Sequence, residues 1–417
     1  MTARPASRRE FLSQSLIAGL AVSGFTLPSR SLFASEKNSG LVADIDHAAI
    51  FHGRESGPNW FHPRGCMVPS ADGATALMTM QSISGSDVFG HVHWTESKDQ
   101  GTTWSTPQPI PGLGRRMFGD DEGEGVCDVV PEYHVKTGST LAVGHNVYYR
   151  KGVLARPQGP RWPMYTVRNA AGEWTAPQKL VWDDPRGKTI YTCGCGQRYT
   201  LDNGDVLIPI SYGAQQKQPR NVTVVRARFD GTRLTIADVG NELTNPAGRG
   251  LLEPSLTHLD GKYYLTIRAE DQRGHVSSST DGLNWQPTQP WAWDDGEPLS
   301  MSTTQQHWLV HSDALFLVYN RKDASNEKVV RWRSPLYVAE VDRKTLRLIR
   351  STERVVLPLQ GDVAIDARRV ALMGNFHVTT ASPEESWVTV GENRYYDKFR
   401  GNVLLARIRW SKPNRLA

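Results

Sequence analysis

Apolar and polar residues alternate along most of this chain in short runs, and Gly, Asn and Asp punctuate them. Ala76-Leu77-Met78-Thr79-Met80 reads as a buried strand, and His91-Val92-His93-Trp94 repeats with a period of two. Leu201 to Ile210 is a hairpin with Asn203-Gly204 at its tip. Val222 to Phe229 alternates and then turns at Asp230-Gly231, and His258 to Arg268 folds back at Asp260-Gly261. Ser139 to Tyr149 reads as a strand running into a loop, while Val329 to Val341 and Val403 to Trp410 close the series. Residues 36–60 are polar and turn-rich, and no strand is read there. Long helical patterns are scarce and no linker interrupts residues 40–417. The pattern predicts one all-β domain.

Ser97-Lys98-Asp99-Gln100-Gly101-Thr102-Thr103-Trp104 sits between two such runs. Its chemistry is that of a tight turn. Asp99 folds back on nearby backbone N–H groups, Gly101 takes a positive φ, and Trp104 starts the next strand as an apolar anchor. A near copy stands at Ser279-Thr280-Asp281-Gly282-Leu283-Asn284-Trp285, and a looser one at Asn169-Ala170-Ala171-Gly172-Glu173-Trp174. These turns resemble the Asp-box of sialidases and other β-propeller proteins. The resemblance implies six, or alternatively seven, four-stranded blades around a channel, with the last strand pairing with the first blade to shut the ring. The boxes lie on turns and serve folding, so they say little about activity.

Composition narrows the setting. The 417 residues carry a formal charge of +5 with no Lys/Arg block, which is no footprint for nucleic acid. Thirteen Trp and 37 Gly suit hairpins with aromatic anchors. Ser7-Arg8-Arg9-Glu10-Phe11-Leu12, followed by an apolar run from Leu16 to Leu27, resembles a twin-arginine export signal. It is too short for a membrane span. Residues 1–35 are therefore expected to be a cleavable leader, residues 36–417 the propeller domain, and the mature protein periplasmic or secreted and free of the membrane. Cys66, Cys127, Cys193 and Cys195 are read as buried thiols or a disulfide. No cofactor is implied, and a structural Ca²⁺ or Zn²⁺ ion is left open.

The resemblance to sialidases extends to single residues. Arg64, in Phe61-His62-Pro63-Arg64-Gly65, resembles the first arginine of their carboxylate-binding triad, although the Arg-Ile-Pro tripeptide is absent. Asp87 stands where they carry an acid/base aspartate. Glu253-Pro254-Ser255-Leu256 and Arg268 resemble the segment with the catalytic glutamate and second arginine, and Arg333 would be the third. Sialidases also use a late tyrosine nucleophile; the corresponding stretch is Met373 to Val378, where Phe376 has no hydroxyl. Physically, guanidinium forks around one pocket imply a carboxylate partner, which suits sialic and uronic acids equally.

A second resemblance is to propeller-type lyases and rhamnosidases acting on rhamnose–glucuronate linkages, which use a histidine, a tyrosine and an arginine. His145, Tyr212 and Arg226 fall in similar order. In a lyase, a neutral His or Tyr removes a proton and the arginine neutralises the uronate. The acidic loop Asp120 to Gly125 with Asp128, Glu132 and His134, the pair His307 and His311, and Arg321 are weaker candidates, read mostly as solvated or packed groups.

The expected function is an exported glycosidase that cleaves next to an acidic sugar in an oligosaccharide or polysaccharide. Uronate lyase chemistry and a non-catalytic glycan- or protein-binding propeller are the alternatives.

Overall fold

Antiparallel pairing runs from Val42 to Trp410, as short alternating segments require. The structure is a computed structural model and describes residues 40–71, 73–213 and 219–417. The expected leader lies outside the described residues. Gly40–Ala417 forms one unit.

The strands sort into six sheets. Blade 1 is built from Trp60–Ser70, Gly73–Gly85, Val88–Ser97 and Gln108–Pro109. Blade 2 is built on Glu122–His134, Ser139–Arg150, Pro163–Arg168 and Gln178–Lys179. Blade 3 uses Ile190–Thr192, Val206–Gly213, Asn221–Phe229 and Leu234–Val239, and blade 4 uses Leu251–Leu259, Lys262–Ala269, Gly274–Ser279 and Gln289–Pro290. Blade 5 is built on His307–His311, Ala314–Tyr319 and Leu336–Asp342. Blade 6 takes Phe376–Ser382, Glu385–Gly391 and Val403–Trp410 from the end of the chain and Val42–Phe51 from its start. The first strand in each group lines the axis, and the apolar faces of neighbouring blades bury one another.

Four expectations change. Val403–Trp410 does not join blade 1; it pairs with Val42–Phe51 and so completes blade 6. The turn-rich stretch 36–60 therefore contains the ring-closing strand. That strand lies on the outer edge, with most of its side chains exposed or half-buried, so it needs no clean alternation. Val329 to Val341 is not one strand. Arg331 and Trp332 adopt φ of 53° and 51°, and the strand begins only at Leu336. Ser139–Arg150 continues without a loop, because its far half pairs with Glu122–Gly125.

The Asp-boxes connect third to fourth strands. Asp99 Oδ1 accepts from Ser97 Oγ at 2.8 Å and from the Thr103 N–H at 2.9 Å. The Gly101 N–H donates to Ser97 Oγ at 2.7 Å. Asp281 repeats the arrangement, accepting from Ser279 Oγ and from the N–H groups of Leu283 and Asn284 at 2.7–2.9 Å. Each box leans on the preceding blade. A Cβ at Gly101 would stand 3.0 Å from Trp387 of blade 6, and one at Gly282 would stand 2.4 Å from Leu207 of blade 3. Trp174 packs on Trp94 of blade 1 with ring centroids 6.3 Å apart. A positive φ and a close approach both exclude a side chain at the two glycines.

Asp281→Ala removes the acceptor while leaving the strands intact. The expected result in urea titration is a lower midpoint at unchanged m, a loss of about 1–2 kcal/mol. An unchanged midpoint would mean that the box contributes nothing to stability.

Candidate functional site at the axis

In a four-stranded antiparallel blade, the 1–2 and 3–4 turns share one end, and the 2–3 and 4–1 connections share the other. The Asp-boxes occupy the first end. The second end opens into a cavity of about 920 Å³, within the range that holds a small ligand. Asp87, His145, Glu253, Arg268 and Arg333 all line it. His62, Arg161, Arg220, Arg249, Glu270 and Arg331 join them.

The inner strands present polar groups there because they leave the regular ladder. The register shifts between Phe61 and Arg64, between Cys127 and Val130, and between Leu252 and Ser255. The bulged residues His62, Asp128 and Glu253 have φ of 52°, 55° and 47°, and Cys195 of blade 3 has 65°. Left-handed backbone at a non-glycine costs roughly 1–3 kcal/mol and persists only where its surroundings enforce it. Here the surroundings are cross-blade bonds. The Cys195 N–H donates to Asp128 O at 3.3 Å, and the Gln197 N–H donates to Ser255 Oγ at 3.0 Å. Asp87, φ 57°, stands exposed at the tip of the 2–3 hairpin of blade 1.

The floor is buried and close-packed. Cys127 Sγ lies 3.3 Å from His145 Nε2, and His62 Nδ1 lies 3.3 Å from Asp128 Oδ1. A Cβ at Gly194 would fall 1.9 Å from His145 Nδ1, so only glycine fits beneath that ring. Burial first, and then the charge of Arg161, push the His145 imidazole down to about 3, so it is neutral at physiological pH. Burial lowers His62 in the same way. Burial works against the charge of Asp128, but His62 and Arg64 outweigh it and keep the carboxyl ionised. Cys127, Asp128 and His145 bring three donor atoms within 4.8 Å of one another. That donor set suits zinc. It fits poorly here, since Asp128 Oδ1 already accepts from Arg64 at 3.1 Å, burial holds the thiol protonated, and Arg161 repels a cation. All four cysteines are free, buried thiols.

The walls are cationic. Arg268 donates to Glu253 Oε1 at 2.6 Å and lies 3.4 Å from Glu270. Glu253 Oε2 is buried and has no hydrogen-bond partner. Burial, followed by repulsion from Arg268 and Arg331, pushes Arg333 down to about 10. It still carries its charge at neutral pH. Among the described residues, Arg161, Arg220, Arg331 and Arg333 have no acidic partner.

The remaining sequence candidates stand elsewhere. Arg64 is fully buried behind the floor, where its guanidinium donates to Asp128, to Gln305 Oε1 at 2.9 Å and to the Phe376 carbonyl. It is fully buried and does not line the cavity, so the expected three-arginine clamp is reduced to Arg268 and Arg333. Tyr212 packs under Trp182 and donates to Glu242, outside the cavity. Arg226 pairs with Asp238 and Asp205 between two outer strands of blade 3. The histidine–tyrosine–arginine set of a lyase is thus not assembled: only His145 lines the cavity. The cause is register. Tyr212 and Arg226 point into the blade-to-blade packing and along the sheet, away from the axis. Phe376 is buried edge-on to His307, and its neighbour Asn375 lines the cavity instead. His307 bonds Ser255 Oγ at 2.7 Å and His311 bonds the Lys412 carbonyl at 3.1 Å, so both are structural. The cavity arginines Arg161, Arg220, Arg249 and Arg331 were not among the sequence candidates. All four leave from irregular connections or strand ends, where periodicity carries no signal.

The fold is a six-bladed β-propeller of the kind that sialidases share. Residues 153–356 match the family described as BNR repeat-like domain, and no curated protein matches the chain. Among solved structures, a Trypanosoma rangeli sialidase in complex with sialic acid superposes with a TM-score of 0.61 at 13% identity, over 88% of this chain and 59% of that one. The intramolecular trans-sialidase from Ruminococcus gnavus, in complex with oseltamivir carboxylate, superposes with a TM-score of 0.55 at 11% identity, over 87% and 97%. A protein of unknown function from Dyadobacter fermentans gives 0.57 at 12%, over 88% and 99%. The chain thus spans about three fifths of the length of the trypanosomal enzyme. The likeness is one of fold.

Two outcomes are expected from the floor. Gly194→Ala forces His145 to move, so the variant is expected to lose stability by at least about 1 kcal/mol in urea titration. The buried imidazoles of His62, His145, His307 and His377 all bind protons more weakly folded than unfolded. The unfolded chain takes up more protons below pH ~6.5, so stability falls as pH drops from there, by up to about 1.4 kcal/mol per pH unit for each histidine. Urea midpoints measured at pH 7 and pH 5 check this, and equal midpoints would contradict it.

Proposed function

We propose that this protein is an exported glycosidase that cleaves the bond next to an acidic sugar, bound at the axial cavity through its carboxylate. The observation that supports this most is the meeting of Glu253, Arg268, Arg333 and Asp87, from three separate blades, in one cationic cavity. Arg268 and Arg333 offer guanidinium forks to a carboxylate, and a buried cationic wall gains most from an anion that replaces lost water. Glu253 keeps one oxygen on Arg268 and one oxygen free. In this role the free oxygen takes a proton from a water that attacks the anomeric carbon. Asp87, on its exposed hairpin, delivers a proton to the leaving oxygen. Water is split between the two products and no charge is left over. Phe376 removes the tyrosine nucleophile of the sialidase resemblance, which is why the water route is the one proposed. Sialic and uronic acids both satisfy the carboxylate requirement. Export would follow from the twin-arginine pattern at residues 7–12.

The test is product analysis on a sialoside and on a rhamnose–glucuronate polymer. Hydrolysis releases reducing ends without an unsaturated uronate, whereas elimination produces the unsaturated chromophore. Glu253→Gln and Asp87→Asn are each expected to lower turnover by roughly 10²-fold or more, the usual contribution of a general acid or base. Arg333→Ala is expected to act mainly on KM. Binding without turnover in the wild-type protein would replace the enzyme by a glycan-binding propeller.

A further inference from the structure

The cationic wall has two parts. Arg268, Arg331 and Arg333 come from blades 4 and 5. Arg161 and Arg220 come from the side of blades 2 and 3. Arg161 leads into Pro163–Arg168, and its backbone bridges to Ile190 on the inner strand of blade 3. Arg220 leads into Asn221–Phe229. Its N–H donates to the Arg249 carbonyl at 2.8 Å, and its own carbonyl accepts from the Leu251 N–H at 2.8 Å. Both backbones are therefore pinned between blades, and the side chains leave from fixed points. Gly250 makes the Arg220 bridge: a Cβ there would lie 2.3 Å from the Arg220 carbonyl oxygen.

The two half-buried guanidiniums lack the acidic partner that Arg198 and Arg321 have. Arg198 is held by Glu132 at 3.1 Å and Arg321 by Glu353 at 2.6 Å. Among the described residues, Arg220 has no side-chain hydrogen bond, and Arg161 has one, from Nε to the Asn146 carbonyl at 3.1 Å. Glu253, the acid whose charge reaches Arg220, is engaged by Arg268 at 2.6 Å, and Glu270 is engaged by Arg249 at 2.5 Å. Burial, and then repulsion from Arg161 and Arg249, push Arg220 down to about 10. Neighbouring like charges without a counter-ion are unfavourable in a folded chain, and both of these half-buried groups line the cavity.

We propose that Arg161 and Arg220 form a second oxyanion subsite, which takes a carboxylate or sulfate ester on the same saccharide whose first carboxylate is held by Arg268 and Arg333. The proposal rests on the acidic-sugar reading of the cavity and narrows it to a saccharide with two anionic groups. The guanidinium fork matches either oxyanion, and the test separates them.

Calorimetric titration of the full chain uses three kinds of probe: a sialoside or glucuronide with one carboxylate, a diuronide with two, and a glucuronide carrying a sulfate ester. At least one doubly charged probe is expected to bind roughly tenfold or more tightly than its singly charged parent, as charge-assisted hydrogen bonds allow. Arg220→Met and Arg161→Met are expected to erase that gain and leave the singly charged probe within about twofold of wild type. Arg333→Ala is expected to weaken every probe. The methionine variants keep the volume and remove an unpaired charge, so their Tm is expected to match or exceed that of wild type. If the singly charged probe binds through Arg333 but the second charge gains nothing, or Arg220→Met weakens both probes alike, the second subsite is wrong and the acidic-sugar reading stands. If none of the probes binds the wild-type protein, that reading falls as well.

Discussion

One buried guanidinium holds the centre of this wheel together. Arg64 belongs to blade 1, yet its donors reach Asp128 of blade 2, Gln305 beside blade 5 and the Phe376 carbonyl of blade 6. A charge with no exposure to water must be matched by acceptors, and removing one partner of such a pair typically costs about 3–5 kcal/mol. The inner strands therefore have no freedom to slide along the axis. Asp128 is fixed in its left-handed bulge by the same pair, and His62 is fixed by Asp128. The residue that resembles a ligand-binding arginine has become a structural hub, and the ligand-facing charge has moved outward to the rim.

That exchange explains how the cavity combines a neutral floor with a positive wall. Below, burial strips His145 of its proton and weakens proton binding at His62, and Asp128 is spent on Arg64. Above, arginines from four blades crowd an opening where, among the described residues, Asp87, Glu253 and Glu270 oppose them. Glu253 and Glu270 are both tied to arginines, which leaves Asp87 as the unpaired acid. An acidic ligand would be drawn in by the wall, and its uncharged ring atoms would rest against the floor.

The fold was legible because its signals are local. Asp99-Gln100-Gly101 and Asp281-Gly282 turn the chain by side-chain chemistry within a few residues, and the Asn203-Gly204 and Asp260-Gly261 tips do the same. Glu253 and Arg268 were legible too, since adjacent strands of one hairpin bring them together. Arg64, Tyr212 and Arg226 were misplaced for a common reason. Which way a strand side chain faces depends on the pairing of neighbouring strands, at Arg64 and Arg226 beside bulges, and alternation alone does not carry it. Arg161, Arg220 and Arg331 stayed hidden because they lie where the chain leaves regular structure. Val42–Phe51 stayed hidden because an edge strand with one neighbour needs little apolar surface.

Closure by that strand has a consequence for how the molecule is made. Among the described residues, Val42–Phe51 pairs only with Val403–Trp410, more than 350 residues away. While the chain emerges from the ribosome, the first strand has nothing to pair with until nearly the whole sequence has been synthesised. Blades 1 to 5 can each form from contiguous sequence, but the circle stays open throughout. Such distant pairing slows assembly, and an unsatisfied strand edge invites pairing with a second molecule. Polar groups on this strand, the acids Asp44 and Asp46 and the imidazole of His47 at exposed positions, make it a poor template for a stranger while it waits.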